Sequence, residues 1–204
     1  MRRLPRGFGL FSIETKERFF LARVSFANPN EITGKAKEAY EKLAAAGKLT
    51  NMKQALLQDY ATYDAFMAWY TSWDRLVEVV GERAATIYAH AVSSTNGCLL
   101  CSLFFISDLA ALGEDSDNIH FSEDEQLLAD LGAQIVKDPT NVSDEIFEQL
   151  KKKYTDSEIV AIVGFAAQMM ATNNFNSVLR IDVDERLLPI RDKFRPATWR
   201  ADIK

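Results

Sequence analysis

Only two cysteines, Cys98 and Cys101, and two histidines, His90 and His120, occur in this sequence. That scarcity excludes whole classes of chemistry. A disulfide-stapled scaffold needs several bridges, and a structural zinc needs four ligands, so two thiols and one imidazole fall short unless subunits share a site. No metal and no cofactor are expected. Long apolar runs are also missing, since no window approaches the roughly 20 residues needed to span a bilayer. Basic residues are not in excess: a net charge of -5 and a pI near 5.2 oppose broad contact with phosphate backbones. Neither a membrane nor a nucleic acid is therefore an expected partner. Strand-like alternation is confined to a short extended piece around Phe19 to Phe26, and no solenoid-length repeat is present. The basic start, Met1-Arg2-Arg3-Leu4-Pro5-Arg6, precedes an apolar stretch too short for a signal peptide and followed at once by charges. A cytoplasmic location is expected, and in a reducing compartment a two-cysteine motif points to catalysis, redox sensing or metal binding before a static staple.

What is present is a helical pattern over nearly everything after Asn30. Ala36, Ala39, Tyr40, Leu43 and Ala44 mark a helix over Thr33 to Ala45 that ends at Gly47. An aromatic-rich stretch runs from Asn51 to Val80, with a break near Asp59 and a stop at Gly81. Glu82 to Ser94 carries small residues, Ala84, Ala85, Ala89 and Ala91, that permit close helix approach and predict a central, buried element. Cys98 to Leu112 forms the next helix, ending at Gly113. Ser122-Glu123-Asp124-Glu125 and Thr155-Asp156-Ser157-Glu158 are capping boxes, and Ser143 caps a shorter helix between them. The helix opened by Thr155 is apolar nearly all round, which suits a core or a subunit interface. With 48% hydrophobic residues the chain can bury one substantial core. The expectation is one all-α domain over 1–204, with an N-terminal arm at 1–29 and a C-terminal tail at 189–204. Both arms mix aromatic and basic residues, and either wrap their own domain or lie on a neighbouring subunit.

The cysteines stand three apart in Asn96-Gly97-Cys98-Leu99-Leu100-Cys101, nearly on one helix face and close enough to join as a disulfide. Thr95 or Asn96 is the predicted N-cap, which puts Cys98 in the first turn, where free N–H groups favour a thiolate. The bland alternative is that two small apolar residues fill a helix interface. His90 on the preceding helix is a possible auxiliary base, although a lone histidine on an Ala-rich helix is more often a packed one. His120 falls in a polar loop. Ser102, Tyr88 and Ser94 offer hydroxyls that can donate to a thiolate but cannot serve as bases near neutral pH. Asn173, Asn174 and Asn176 fit the end of an apolar helix, with Phe105, Asn173 and Asn176 kept as pocket candidates.

The Asn-Gly-Cys-x-x-Cys helix resembles the carboxymuconolactone decarboxylase and alkylhydroperoxidase D-like family, over roughly residues 30 to 185. So do the Ala-rich helix before it, Asp108-Leu109-Ala110-Ala111-Leu112-Gly113 after it, and Ser157-Glu158-Ile159-Val160 leading to Asn173-Asn174-Phe175-Asn176. The resemblance implies an all-α helical bundle, assembly as a homo-oligomer (trimer or hexamer), and peroxide reduction through a cysteine pair recharged by a dithiol reductant protein. It makes Cys101 the attacking thiol and Cys98 the resolving one, whereas the helix-terminus argument makes Cys98 the more acidic. The sequence departs from the family at two positions. Phe105 stands where the thiol branch has a histidine after the second cysteine, and Thr86 stands where it has a glutamate before the first. Such proton-handling groups typically contribute about 10²–10⁴-fold each. Three functions follow: a thiol-dependent oxidoreductase of the peroxidase or disulfide-exchange kind, a catalytically silent helical oligomer binding a hydrophobic ligand or partner, and, more weakly, a lyase like carboxymuconolactone decarboxylase.

Overall fold

The architecture is that of a computed structural model, which describes residues 22–195. In those residues nine α-helices and a closing 3-10 helix follow one another without a strand. They are α1 (Gly34–Ala45), α2 (Asn51–Leu56), α3 (Tyr60–Met67), α4 (Trp69–Val80), α5 (Glu82–Thr95), α6 (Leu99–Ala111), α7 (Glu123–Lys137), α8 (Asp144–Lys153), α9 (Asp156–Leu179) and the 3-10 helix Glu185–Lys193. No helix among these residues is long and apolar enough to cross a membrane.

Helix α5 is the axis, packed against α4, α6, α7 and α9. Its small residues account for this. Ala85 and Ala89 are fully buried, and on the facing helix Gly132 admits Tyr88 and Val92 so closely that an added Cβ would stand 3.0 Å from Val92 Cγ2 and 3.1 Å from Tyr88 Cε2. Tyr88 is buried, and its hydroxyl donates to Ile162 O at 3.1 Å, so the ring carries no unsatisfied polar atom into the core. Around it Leu76, Leu103, Leu128, Leu131, Ile162 and Phe165 are inaccessible to solvent. Each such side chain contributes about 1.5–3 kcal/mol of transfer free energy. Both capping boxes form, Ser122 with Glu125 and Thr155 with Glu158, and Ser143 Oγ accepts from Ile146 N–H.

Three local expectations change. The stretch from Asn51 to Val80 divides into α2, α3 and α4, with Asp59 Oδ1 accepting from Thr62 N–H at 2.8 Å to start α3, and a second interruption at Ala68. The described part of the extended piece, 22–26, is irregular backbone, tied down by Arg23 N–H donating to Leu179 O; Phe19 to Leu21 lie outside the described residues. Helix α9 is not buried all round: Val160 is 70% exposed and Val178 61%. The described portions of both arms lie against the chain's own body. Ala22 N–H donates to Asp182, Ala27 N–H to Gln54 O, Lys193 pairs with Asp115, and Ile190 and Phe194 pack on the core.

Candidate functional site

Helix α5 ends in a turn that only its sequence could make sharp. Asn96 closes the helix, Gly97 takes a left-handed φ of 74°, and Cys98 N–H returns to Ser93 O at 3.0 Å. Cys98 is itself the N-cap of α6, in place of the predicted Thr95 or Asn96, because the chain is still finishing α5 at those residues. Its Sγ accepts the Cys101 N–H at 3.3 Å, in the manner of a serine cap oxygen. Cys98 and Cys101 are joined as a disulfide, with Cα atoms 5.4 Å apart, and both are buried.

The asparagines of α9 hold this turn. Asn173 Oδ1 accepts from Ser93 Oγ at 3.2 Å, Asn174 Oδ1 accepts from Asn96 Nδ2 at 3.3 Å, and Asn176 Nδ2 donates to Cys101 Sγ at 3.2 Å. Asn176 Nδ2 also lies 3.3 Å from Met52 Sδ. These residues sit within α9 rather than at its end, where Arg180 adopts the left-handed cap. Their amides therefore bridge helices instead of closing one. Ser102, fully buried, has a hydroxyl without a partner.

Cys101 opens onto a cavity of about 560 Å³, within the range of small-molecule sites. Cys98 is not on its wall. The wall is aromatic: Trp69 stacks on Trp73 with centroids 5.5 Å apart, and Trp73 stacks on Phe105 at 6.1 Å. Phe66 and Phe104 also line it, with Met52, Met67 and Met169 filling between the rings. Phe105 thus forms part of an apolar wall where the resemblance places a histidine. Thr86 lines the cavity as well, but its hydroxyl donates back to Glu82 O at 2.8 Å.

No ionisable side chain among the described residues is hydrogen-bonded to either sulfur. Asp108 lines the cavity two helical turns beyond Cys101, and burial pushes its carboxyl up, with Arg186 pulling it down and Glu82 adding to the rise. Arg186 lies over the Phe104 ring at 4.6 Å from its centroid. Lys53, also on the wall, is buried. Desolvation holds the His90 imidazole down to about 4, so it is neutral near pH 7, and it does not line the cavity. Asn173 is likewise buried off the cavity wall, whereas Asn176 is on it. Among the described residues no group of three or more His, Cys, Asp or Glu side chains gathers to hold a metal.

No protein-family model matches the chain, and no curated protein matches it. Solved structures do, among them two described as peroxidase-related. An uncharacterized peroxidase-related protein from Silicibacter sp. TM1040 superposes with a TM-score of 0.66 at 16% identity, over 81% of this chain and 93% of that one. An uncharacterized peroxidase-related protein from Ralstonia eutropha JMP134, described as an alkylhydroperoxidase AhpD core, gives 0.63 at 16% identity, over 81% and 94%. The fold is that of the AhpD core. At this identity the likeness concerns backbone architecture, and it agrees with the helical order that the sequence implied.

Sequence reasoning missed most of the cavity's wall. Trp69, Trp73 and Phe66 register only as apolar positions of a long stretch, because the break at Ala68 that separates α3 from α4 leaves a weak signal. Lys53 could have been noticed as a charge set between Met52 and Ala55-Leu56 on a short apolar helix.

Proposed function

We propose that this chain is a thiol-dependent oxidoreductase in which Cys101 meets the oxidant and Cys98 resolves it. The observation that carries the reading is the placement of Cys101 on the wall of a largely apolar cavity, with the Asn176 amide donating to its Sγ and Cys98 joined to it. In the reduced protein the Cys101 thiolate attacks the terminal oxygen of a hydroperoxide, the O–O bond breaks, and the alkoxide leaves as an alcohol after taking a proton. The Cys98 thiolate then attacks the sulfenic sulfur, forming the S–S bond and expelling hydroxide, which leaves as water. Two thiols and one hydroperoxide give one disulfide, one alcohol and one water. An external dithiol returns the electrons by attacking Cys101, with Cys98 as leaving group; its position as N-cap of α6 stabilises the departing thiolate.

A dithiol reductant protein and a cytoplasmic setting belong to the same proposal, as does assembly with further copies of this chain. The support for assembly is the outward face of α9, where Val160, Gly164, Ala167, Ala171 and Val178 follow one another at spacings of three, four and seven and are all exposed. A second reading, a silent binder of a hydrophobic ligand, draws on the aromatic wall and on the lack of any ionisable group hydrogen-bonded to either sulfur among the described residues. Titrating the dithiol form with an organic hydroperoxide under anaerobic conditions separates the two. The oxidoreductase reading expects two thiols lost per hydroperoxide, and no hydroperoxide-dependent loss favours the binder.

A further inference from the structure

We propose that Lys53 anchors an organic anion in this cavity: a ligand with an apolar, ring-sized body and one carboxylate. Lys53 is only 5% exposed, and its Nζ finds one hydrogen bond, to Lys48 O at 3.1 Å, and the face of Tyr70 at 5.1 Å from the ring centroid. An ammonium carries three donors, and burying it without an anionic partner costs free energy. The cations that are ion-paired among the described residues are all more exposed than Lys53: Arg75 with Glu78, Arg83 with Glu114 and Glu125, Lys153 with Asp124, and Lys193 with Asp115 and Asp117. Lys53 makes no such pair; Asp184 acts on it only at longer range, while accepting the Asn51 N–H at 2.9 Å.

A carboxylate has two oxygens and four lone-pair sites, so it supplies acceptors of the kind the Lys53 ammonium lacks. The cavity's own carboxylates, Glu82 and Asp108, come from α5 and α6, and Asp108 already has Arg186 beside it. Lys48, also on the wall, is exposed, which leaves Lys53, contributed by α2, as the buried cation to which an incoming anion is drawn. Between these groups the wall is rings and thioethers, which fit an aromatic or compact aliphatic body.

As an assignment of substrate this rests on the thiol reading, with the anion carrying its peroxide group to Cys101; the binding itself does not. The test therefore uses the disulfide form and probes without a peroxide. Binding of 2-naphthoate and of neutral 2-naphthamide is measured by calorimetry and by quenching of tryptophan fluorescence. The wild-type protein is expected to bind 2-naphthoate at least tenfold tighter than 2-naphthamide. Lys53→Met and Lys53→Gln are expected to abolish that preference while leaving the 2-naphthamide affinity within about twofold, and Lys53→Arg to restore it in part. Equal affinities in the wild type, no binding of either probe, or a preference that survives in whichever neutral variant folds would each overturn the proposal. Binding as expected without hydroperoxide turnover would remove the thiol reading alone, and turnover without anion preference would remove this one alone.

Discussion

Among the described residues the Asn176 amide is the one side-chain donor hydrogen-bonded to Cys101, so in the reduced protein it stabilises the thiolate over the thiol. Asn176→Leu should raise the Cys101 thiol pKa and slow its oxidation by hydroperoxide about tenfold or more, the scale of a hydrogen bond to a charged group. Rates measured across pH should show the slowing shrink as the thiol is fully ionised. A loss independent of pH would assign Asn176 to packing. His90 has a different consequence. Its imidazole is held down to about 4 by desolvation, against an ordinary value of 6.5. Between those values the unfolded chain binds a proton that the folded chain does not, so stability is full above pH 6.5 and is lost as pH falls toward 4. The slope from this group is at most about 1.4 kcal/mol per pH unit. Urea denaturation at pH 7.0 and 5.0 should show this loss, reduced in His90→Gln; an unchanged difference would place the titration elsewhere. That Cys98 and Cys101 can join was legible from their spacing. Lys53 left only the trace of a charge on a short apolar helix, because its significance lies in a partner it lacks and its burial is decided by the packing around α2.

At the scale of elements, caps and small residues govern the arrangement. Both capping boxes and the stop at Gly113 could be read directly, since each depends on residues within one turn. The start of α6 could not, because whether Asn96 ends one helix or begins the next is decided by the packing of α5, not by local preference. Close approach of α5 and α7 depends on Gly132. Gly132→Ala would gain up to about 1 kcal/mol of helix propensity but drive a methyl into Tyr88 and Val92, both fixed in the core. Overpacking of this kind costs about 1–3 kcal/mol. Net destabilisation is expected in chemical denaturation, and a stabilised variant would show that α7 can shift outward freely.

For the whole molecule, α1 and the helices from α5 onward were readable because each carries its own apolar period, whereas α2, α3 and α4 ran together as one stretch broken near Asp59, and the cavity was not readable because its wall is drawn from α2, α3, α4, α5, α6 and α9 together. Assembly belongs at this scale too. If the outward face of α9 meets another copy, Ala167→Glu places a charge in that contact and should lower the mass found by light scattering without altering the far-ultraviolet circular dichroism. An unchanged mass would move any contact to another surface. The central claim is that Cys101, not Cys98, meets the oxidant. The most direct measurement is sulfenic-acid trapping on Cys98→Ser and Cys101→Ser, each reduced and then given one equivalent of cumene hydroperoxide, with the adduct located by peptide mass spectrometry. The account predicts rapid adduct formation at Cys101 in Cys98→Ser and little at Cys98 in Cys101→Ser; faster trapping at Cys98, or none at either, would contradict it.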